Sequence, residues 1–438
     1  MPASIDLQRL EARREMLVDL LRDLVAIRTV NPPGENYGKM CEYLLRAARG
    51  MGGEARIVEV PAARAAELYA HAPTDHPRLS VVGRYAASRG TRSEGAAVVP
   101  SQGTPRTEKQ TPAGLHFNGH FDTVPAGRGW TRDPWTPTIE GGRLYGLAAS
   151  DMKGGIASIL GVLQTLADQK ITLAADLTFS FTPDEETGGM AGAGFVAGER
   201  LVTADYGIIT EPSQPHLVKI GHRGVLWVEI EAEGKTAHGS VPYKGINAFE
   251  KICAVAAGLK RLELETLGKK RTRHPVPEER QALPTIMVGG VVRGGLKTNV
   301  VPDACMVTVD RRLIPEESIA EAAGEIEGAV EDLRARDPDL KVTLTRTLAI
   351  EPSVVDAGHE ITRATAAAHE QVYGQKPKIV VSSGFFDAHY FTRGLGIPTI
   401  SYGPGQLGTA HAPDEYIVVD DLVKSTQVLA QVVADLLA

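Results

Sequence analysis

The fold and the site are decided by residues 115–127, which read Leu-His-Phe-Asn-Gly-His-Phe-Asp-Thr-Val-Pro-Ala-Gly. The apolar side chains of Leu115 and Phe117 predict a buried strand that ends just before His120. His120 and Asp122 point to the same side, because residues two apart on an extended segment do so. A carboxylate beside an imidazole takes its free ring N–H and fixes the tautomer that a metal ligand needs. The pair alone is also typical of a turn with a solvated acid. Residues at the ends of other predicted strands are therefore needed to choose between a metal ligand and a simple turn.

Length and charge narrow the possible classes of protein. The chain has 438 residues, more than one hydrophobic core usually holds, so we expect two domains. The net charge of −7 argues against a nucleic-acid or anionic-membrane surface. The charged N-terminal residues predict no secretory signal, and the sequence predicts no apolar run long enough to span a bilayer. The three cysteines Cys41, Cys253 and Cys305 are far apart and embedded in apolar segments, so a reducing, cytoplasmic location is predicted.

The order of the predicted elements indicates an α/β domain that a second module interrupts. Helices and strands alternate through residues 1–216 and again through 349–438, which predicts an α/β domain. Residues 217–348 follow the order β-α-β-β-α-β instead, which is a complete two-layer unit. Within these parts, 5–30 is predicted as a single helix and 218–233 as a single long strand.

Residues 86–113 differ in composition from the rest of the chain. They are rich in Ser, Gly, Thr, Pro, Arg, Lys and Glu, and they lie between two predicted strands. This composition predicts an exposed hairpin insertion. A regulatory arm or an active-site flap is the alternative.

Acidic side chains follow several of the other strands. Asp151 lies in Ser-Asp-Met-Lys-Gly-Gly, just before an apolar helix. Glu185 and Glu186 follow a buried strand, Glu211 follows the next strand, and His411 comes after the last. In an open α/β sheet, ligands bind at the carboxyl ends of the strands. Consecutive acids at such an end repel one another unless a cation neutralises them.

These groups together predict a centre of two metal ions. Imidazole and carboxylate ligands without thiolate suit Zn²⁺, with Mn²⁺ or Co²⁺ as alternatives. Five ligands are too many for one tetrahedral ion but fit two ions about 3.5–4 Å apart that share a carboxylate. One carboxylate remains, and hydrolysis by a metal-activated water needs a general base. The sequence therefore predicts a metal-dependent hydrolase.

Five motifs in a fixed order carry a resemblance to a known enzyme family. They read Gly-His-Phe-Asp-Thr-Val-Pro, Ser-Asp-Met-Lys-Gly-Gly, Asp-Glu-Glu-Thr-Gly, Glu-Pro-Ser and Thr-Ala-His-Ala-Pro-Asp-Glu-Tyr. Over nearly its whole length the chain resembles the co-catalytic dinuclear metallohydrolases, which include acetylornithine deacetylase, succinyl-diaminopimelate desuccinylase, aminoacylases and glutamate carboxypeptidase. The resemblance implies a mixed-sheet catalytic domain of the aminopeptidase-like type and, at 217–348, a ferredoxin-like lid and dimerisation domain.

The resemblance also implies how the metal ligands divide. Asp151 would bridge the two metals. His120 and Glu211 would complete one metal site, and Glu186 with His411 the other. Each of these positions matches a ligand position in the family's motifs.

The remaining roles are likewise implied by the resemblance. Glu185 would be the general base that takes a proton from the water and passes it to the leaving amine, and Asp122 would orient the histidine beside it. In the inserted module, His238 would stabilise the oxyanion in the partner subunit's site. Asn299 would contact the substrate, and Arg312 would clamp a substrate carboxylate, a task that suits its planar fork.

Two segments depart from the family's pattern. Residues Leu147–Ser150 stand where related deacetylases carry Gly-Arg-Gly, and Phe386–His389 reads Phe-Asp-Ala-His where Thr-Asp-Ala-Arg is common. In the family both segments lie close to the metal site. The departures therefore put the substrate in doubt while they leave the metal ligands intact.

We therefore expect a homodimeric, dinuclear hydrolase of an amide C–N bond, most simply an N-acyl-amino-acid deacylase that acts on a small substrate with a carboxylate. A carboxypeptidase or dipeptidase with the same site is one alternative. Hydrolysis of a non-peptide C–N bond, such as that of an aromatic amine, is another. A non-catalytic metal-binding protein is the third, but it should have lost ligands or the base, and none is lost. Neither a nucleic acid nor a membrane is an expected partner.

Overall fold

The computed structural model describes residues 5–68, 76–87, 114–214 and 216–438. Of the predicted insertion at 86–113, residues 88–113 lie outside the described residues. The chain forms two compact units. Unit 1 comprises Met1–Ile220, Val355–Ile379 and Phe386–Ala438, and unit 2 comprises Gly221–Val354 and Val380–Phe385.

The domain boundaries expected at 216/217 and 348/349 stay a prediction, because compactness alone does not test whether a segment folds independently. The same holds for the roles of the two parts as catalytic domain and as lid and dimerisation domain. Each unit is described by itself below.

The helices and strands follow one another in an α/β order as far as residue 222. They are α1 (Leu7–Glu11), α2 (Arg14–Ala26), α3 (Tyr37–Gly50), β1 (Glu54–Glu59), α4 (Ala62–Leu68), β2 (Leu79–Tyr85), β3 (Leu115–His120), β4 (Thr138–Glu140), β5 (Arg143–Tyr145), α5 (Gly154–Asp168), β6 (Leu177–Thr182), α6 (Ala193–Gly198), β7 (Tyr206–Ile209) and β8 (Leu217–His222).

The next elements are β9 (Gly224–Glu233), α7 (Ala248–Glu265), β10 (Thr285–Gly294), β11 (Ala304–Leu313), α8 (Ile319–Arg334), β12 (Lys341–Ile350) and β13 (Ser353–Val354). The chain ends with α9 (Glu360–Tyr373), β14 (Lys378–Ser382), β15 (Thr399–Ser401), β16 (Tyr416–Val418) and α10 (Val419–Leu437).

The expected single helix at 5–30 is wrong, because the chain forms two helices there. Asp6 caps α1 by accepting the backbone N–H groups of Gln8 and Arg9. The break falls between α1 and α2, where Arg13 lies 2.8 Å from the carboxylate of Asp168. Buried apolar side chains continue on both sides of the break, so hydrophobic periodicity alone does not reveal it.

The mixed sheet of unit 1 places several strand ends at one edge. The strand order runs β1-β2-β6-β3-β7-β15-β8. Every residue of β3 is buried, and β3 runs parallel to both β6 and β7, while β15 runs parallel to β7. β2 is antiparallel to β6, which makes the sheet mixed. The carboxyl ends of four neighbouring parallel strands therefore meet at the same edge.

A glycine allows α5 to begin against the end of β7. A Cβ on Gly155 would lie 2.0 Å from the carbonyl oxygen of Thr210. α5 is almost entirely buried, and α10 packs against both α5 and α9. Among the helices of the described ranges, none combines the length and the apolar character that crossing a membrane requires.

Unit 2 confirms the predicted β-α-β-β-α-β order. Its sheet has the strand order β10-β11-β9-β12, and the neighbouring strands are antiparallel, as in ferredoxin-like folds. The core packs α7 and α8 against this sheet. Its buried side chains include Leu226, Ile230, Leu259, Val307 and Ile326. The expected fold class, a mixed-sheet α/β domain interrupted by this module, is thus confirmed.

The expected single strand at 218–233 is wrong. The segment forms β8 and β9, which belong to different sheets. The chain changes sheets at Arg223, whose backbone N–H is bonded to the carbonyl of Ser382 instead of continuing a strand ladder. Both strands are extended and apolar, so their side-chain pattern carries no sign of the change.

Candidate active site

The site lies at the edge of unit 1 where the parallel strands end. His120 is the last residue of β3, Glu185 and Glu186 follow β6, and Glu211 follows β7. Asp151 reaches the same place from the turn Ala149–Lys153 that leads into α5. The topology of the sheet thus brings together side chains that lie far apart in the sequence.

Two groups of side chains could each hold a metal ion. The first comprises His120, Glu185 and Glu211, and the second comprises Asp151, Glu186 and His411. In each group the candidate ligand atoms all lie within 4.8 Å of one another. These six residues are the sequence-predicted ligands together with the predicted base.

Asp151 lies between the two groups and faces both histidines. Its Oδ1 is 3.3 Å from His120 Nε2, and its Oδ2 is 3.6 Å from His411 Nε2. His120 Nε2 is also 3.4 Å from Glu211 Oε1, and His411 Nε2 is 2.9 Å from Glu186 Oε1. A carboxylate with one oxygen toward each group has the geometry that a ligand shared by two ions requires.

The pKa values of the ligands reflect burial and mutual contact. Burial opposes a charge on His120, but hydrogen bonds with Asp122, Asp151 and Glu211 outweigh it and raise the pKa of the imidazole well above its ordinary value. A hydrogen bond with Glu186 raises the pKa of His411 to about 9. Without a cation, the histidines therefore retain protons that metal binding must displace.

The pKa values of three candidate carboxyl groups are also raised, because burial disfavours their charged form. Burial raises the pKa of Glu186 to about 7, and it raises the pKa of Glu211 with a further contribution from Asp151. Burial likewise raises the pKa of Glu185 well above its ordinary range, against the influence of His120. Bound cations favour the ionised form and would lower these pKa values again.

Asp122 connects the histidine to the acidic turn. Its Oδ1 lies 3.3 Å from His120 Nδ1 and accepts the backbone N–H of Glu185 at 3.2 Å. Its Oδ2 accepts the backbone N–H of Glu186 at 3.3 Å and a hydrogen bond of 3.0 Å from the amide of Asn31. Asp122 therefore contacts a candidate ligand, the candidate base and a second candidate ligand at once.

Sequence reasoning missed two buried charged residues, Glu415 and Lys153. Glu415 holds the backbone of the turn Ala149–Lys153, and Lys153 bonds to the backbone of Ile27. Glu415 accepts the backbone N–H groups of Ser150 at 2.9 Å and Asp151 at 3.1 Å, and burial raises its pKa to about 8. Lys153 donates to the carbonyl of Ile27 at 2.8 Å, and burial lowers its pKa to about 7. Both lie inside the recognised motifs, but a Glu or Lys in a loop is usually an exposed charge, so no local signal marked them.

The three expected residues of the inserted module all belong to unit 2. His238 accepts the backbone N–H of Ser240 at 3.1 Å, and the next residue, Gly239, donates to the carbonyl of Asn299 at 2.8 Å. Arg312 is partly exposed and holds Asp310 through two contacts of 2.8 and 3.0 Å. Its neighbour Arg311 is fully buried and paired with Glu317, which leaves Arg312 as the arginine with access to solvent.

The two departures from the family's pattern are buried. Residues Leu147–Ser150 are at most 2% exposed, and the hydroxyl of Ser150 holds the backbone of Gln406 through both its carbonyl and its N–H. Phe386 and Ala388 lie in a hydrophobic cluster with Phe391. These substitutions therefore act first on packing and on the loop that leads to His411.

The donor set fits a pair of divalent cations. Two imidazoles and four carboxylates converge. The carboxylates of Asp151, Glu185 and Glu211 are buried, and Glu186 is partly buried. Buried carboxylates that face one another are unfavourable unless cations compensate them. Nitrogen and carboxylate donors without sulfur suit Zn²⁺ and its harder neighbours.

The comparisons with known proteins agree with this geometry. The sequence profile described as Peptidase family M20/M25/M40 matches residues 116–435. Acetylornithine deacetylase of Shigella sonnei (strain Ss046) is 32% identical over 333 residues, which are 74% of this chain and 80% of that protein.

Solved structures show the same fold at low sequence identity. The di-peptidase Dug1p from Saccharomyces cerevisiae has a TM-score of 0.76 at 13% identity, and the match covers 98% of this chain and 97% of that one. The Bacillus subtilis YXEP protein, described as a dinuclear metal binding peptidase from the M20 family, has a TM-score of 0.64 at 15% identity and coverage of 97% and 98%.

Proposed function

The chain belongs to peptidase family M20/M25/M40 and is a metal-dependent hydrolase of amide bonds, and on that premise we propose that its substrates are N-acyl amino acids. The observation that carries this proposal is the 32% sequence identity to acetylornithine deacetylase over 74% of this chain. The two groups of ligand atoms, with Asp151 facing both histidines and Glu185 beside them, provide the hydrolytic site that a deacylase and a peptidase would share. This similarity favours a deacylase over a peptidase, because the di-peptidase Dug1p shares the fold at only 13% identity.

The proposed chemistry divides between the cations and the protein. When bound, two divalent cations would polarise the amide carbonyl and lower the pKa of a water molecule. Glu185 takes the proton of that water and returns it to the leaving nitrogen. Its position among the candidate ligand atoms suits both tasks, because a general base must lie within reach of the proton that it accepts and passes on. Asp122 holds the backbone of Glu185 during both transfers.

The proposed roles in unit 2 concern the substrate. Arg312 would bind the α-carboxylate of the substrate through its planar guanidinium group. To do so, it must release Asp310, which it holds through two hydrogen bonds. Asn299 would contact the substrate, and His238 would stabilise the oxyanion in the site of a partner subunit. The connection between His238 and Asn299 through Gly239 supports a shared task for these two residues.

We also propose a homodimer that forms through unit 2. Strand β10 is at the edge of its sheet and exposes Met287 (55%), Val292 (55%) and the nearby Leu296 (84%). Exposed apolar side chains along an edge strand are typical of a surface that meets a partner. Zn²⁺ is the proposed metal, with Mn²⁺ or Co²⁺ as alternatives, and the cytoplasm is the proposed location.

The test is a substrate panel on metal-loaded protein. It comprises N-acetyl, N-succinyl and N-formyl amino acids, dipeptides, an aromatic amine, and each N-acyl amino acid with its carboxylate blocked as an amide. We expect hydrolysis of one N-acyl class and loss of activity when the carboxylate is blocked. Preferential cleavage of dipeptides would identify the alternative peptidase, and release of ammonia from the aromatic amine would identify a deaminase.

A variant of Arg312 sharpens this test. Arg312→Met should lower kcat/KM for the free acid by about 10- to 100-fold, because charge-assisted hydrogen bonds to the carboxylate are lost. It should change activity on the blocked substrate little. Arg346→Met is the matched control, since Arg346 is an exposed arginine of the same sheet that pairs with Glu327. An equal loss in both variants would contradict the carboxylate clamp.

A further inference from the structure

A buried ion pair lies next to the proposed base. Arg78 Nε is 2.7 Å from Asp184 Oδ2, and the two side chains are 2% and 0% exposed. Asp184 directly precedes Glu185 and adopts a left-handed backbone conformation with φ of 70°. An L-residue adopts this conformation at a cost, so surrounding contacts must hold it there.

Two further side chains hold the same carboxylate. The hydroxyl of Tyr37 donates to Asp184 Oδ1 at 2.8 Å, and the amide of Asn31 donates to it at 3.0 Å. The same Asn31 amide lies 3.0 Å from Asp122 Oδ2. The backbone carbonyl of Asp184 accepts the N–H of Gly189 at 2.7 Å, which closes the turn around Glu185 and Glu186.

The chain before α3 forms a cradle for the guanidinium of Arg78. Arg78 Nη1 donates to the carbonyl of Pro33 at 3.0 Å, and the guanidinium carbon lies 5.3 Å from the centre of the Tyr37 ring. Gly34 has a φ of +101°, and a Cβ there would lie 2.3 Å from Arg78 Nη1. Only glycine suits this position on both counts, which shows that the segment is shaped around the arginine.

We propose that Arg78 and Asp184 are positioning residues that hold the turn of Glu185 and Glu186 in its working geometry. The inference rests on the proposed role of Glu185 as base. Arg78 neutralises a buried carboxylate directly beside that base and keeps Asp184 in its strained conformation. Without the arginine, Asp184 loses the guanidinium group that lies 2.7 Å from its carboxylate, the turn relaxes, and Glu185 moves. A displacement of about 1 Å at a reacting group can lower turnover about 100-fold.

The test compares three variants as cobalt-loaded holoenzymes: Arg78→Met, the double variant Arg78→Met/Asp184→Asn, and Arg84→Met. Arg84 is the matched control, because it lies on β2, the strand that begins directly after Arg78, and pairs with Glu54 and Asp176 at the surface. The measurements are kcat and KM on the best substrate, the visible absorption of bound Co²⁺, metal content and the thermal midpoint.

We expect Arg78→Met to lower kcat about 100-fold with KM within about threefold, and to alter the cobalt spectrum, because Glu186 belongs to the same turn. Arg84→Met should match the wild type in kcat and spectrum. The double variant leaves no uncompensated buried charge, so its thermal midpoint should rise above that of Arg78→Met. Its kcat should nevertheless stay low, because the turn still lacks the contact that holds it.

Recovery of both kcat and the thermal midpoint in the double variant would overturn the inference, since the ion pair would then serve stability alone. A wild-type kcat and spectrum in Arg78→Met would overturn it as well. If Arg78→Met does not fold, the double variant is compared with the wild type instead. A low kcat and an altered cobalt spectrum would then support the inference, and wild-type values would overturn it. A wild-type protein without activity on any substrate would refute the proposed function instead, and the cobalt spectrum would still test whether Arg78 positions the turn.

Discussion

Asp122 accepts the backbone N–H of Glu185 across 3.2 Å with the same oxygen that lies 3.3 Å from Nδ1 of His120. One carboxylate oxygen therefore sets the orientation of a candidate ligand and the position of the candidate base. A residue that was expected only to orient its neighbouring histidine has a wider structural role.

Replacement of Asp122 by Asn should weaken metal binding by about 10- to 100-fold. The amide keeps one acceptor oxygen, but its NH₂ group then faces N–H donors of the protein, so either the imidazole or the turn loses its partner. Competition with a chelating dye measures the affinity. Asp133→Asn, which changes an exposed acid, is the control, and an unchanged affinity in Asp122→Asn would refute this account.

Replacement of Glu185 by Gln should retain the metal and reduce kcat by a factor of about 100 to 10,000. The amide fills the same space but cannot accept the proton of the water. Metal content and turnover are measured on one preparation, with Glu199→Gln at the exposed end of α6 as control. Full activity of Glu185→Gln would show that another group is the base.

Replacement of Gly155 by Ala should destabilise the protein by about 1–3 kcal/mol or more. The added Cβ would lie 2.0 Å from the carbonyl oxygen of Thr210, which cannot move without shifting Glu211. Urea unfolding measures the free energy. At Gly198 a Cβ meets nothing within 4 Å, so Gly198→Ala should leave stability unchanged or raise it by up to about 1 kcal/mol. Equal effects of the two changes would contradict the packing argument.

The stability of the protein should fall with acid in part through His116. Its ring nitrogens lie 2.9 Å from the hydroxyls of Thr178 and Ser180, and burial lowers its pKa from 6.5 to about 3. The unfolded chain therefore binds this proton more readily than the folded chain. The contribution of His116 to the free energy of unfolding is complete above pH 6.5 and is lost as the pH falls toward 3.

The variant His116→Gln isolates this contribution. Glutamine can hydrogen bond to the same hydroxyls without titrating, so the slope of unfolding free energy against pH should decrease by up to about 1.4 kcal/mol per pH unit between pH 6 and pH 4. Unfolding curves at a series of pH values measure the slope. The exposed His76 provides the control His76→Gln, and parallel profiles of His116→Gln and the wild type would exclude this role.

The parts of the fold that local patterns encode were predictable from the sequence. The β-α-β-β-α-β order of unit 2 follows from alternating strands and amphipathic helices, and the observed sheet bears it out. The break between α1 and α2 and the change of sheet at Arg223 were not predictable. Both occur inside segments whose apolar pattern continues unbroken, and the residues contacted at the two breaks, Asp168 and Ser382, are distant in the sequence.

The site divides in the same way. The candidate ligands stand at strand ends within short motifs, so residue type and position together marked them. Asn31, Arg78 and Asp184 meet only in the folded chain. Asn31 lies in a segment whose composition predicts the end of a helix, and Arg78 lies just before a strand. The local sequence around these two residues does not indicate which carboxylate each will contact. Partner choice among distant polar residues depends on topology, which periodicity does not encode.

The pairing of β8 with β13 has a consequence for how the chain is built. Gly221 pairs with Val354 and His222 with Ser353, so the backbone departs into the inserted module and returns at adjacent residues. The residues on either side of segment 223–352 are therefore paired with each other, so the segment forms a closed loop. The entropic cost of such a closure rises only slowly with the number of residues enclosed. A change in the number of residues between 222 and 353 therefore need not stretch the backbone of β8 or β13, which makes this junction a favourable place for variation in length.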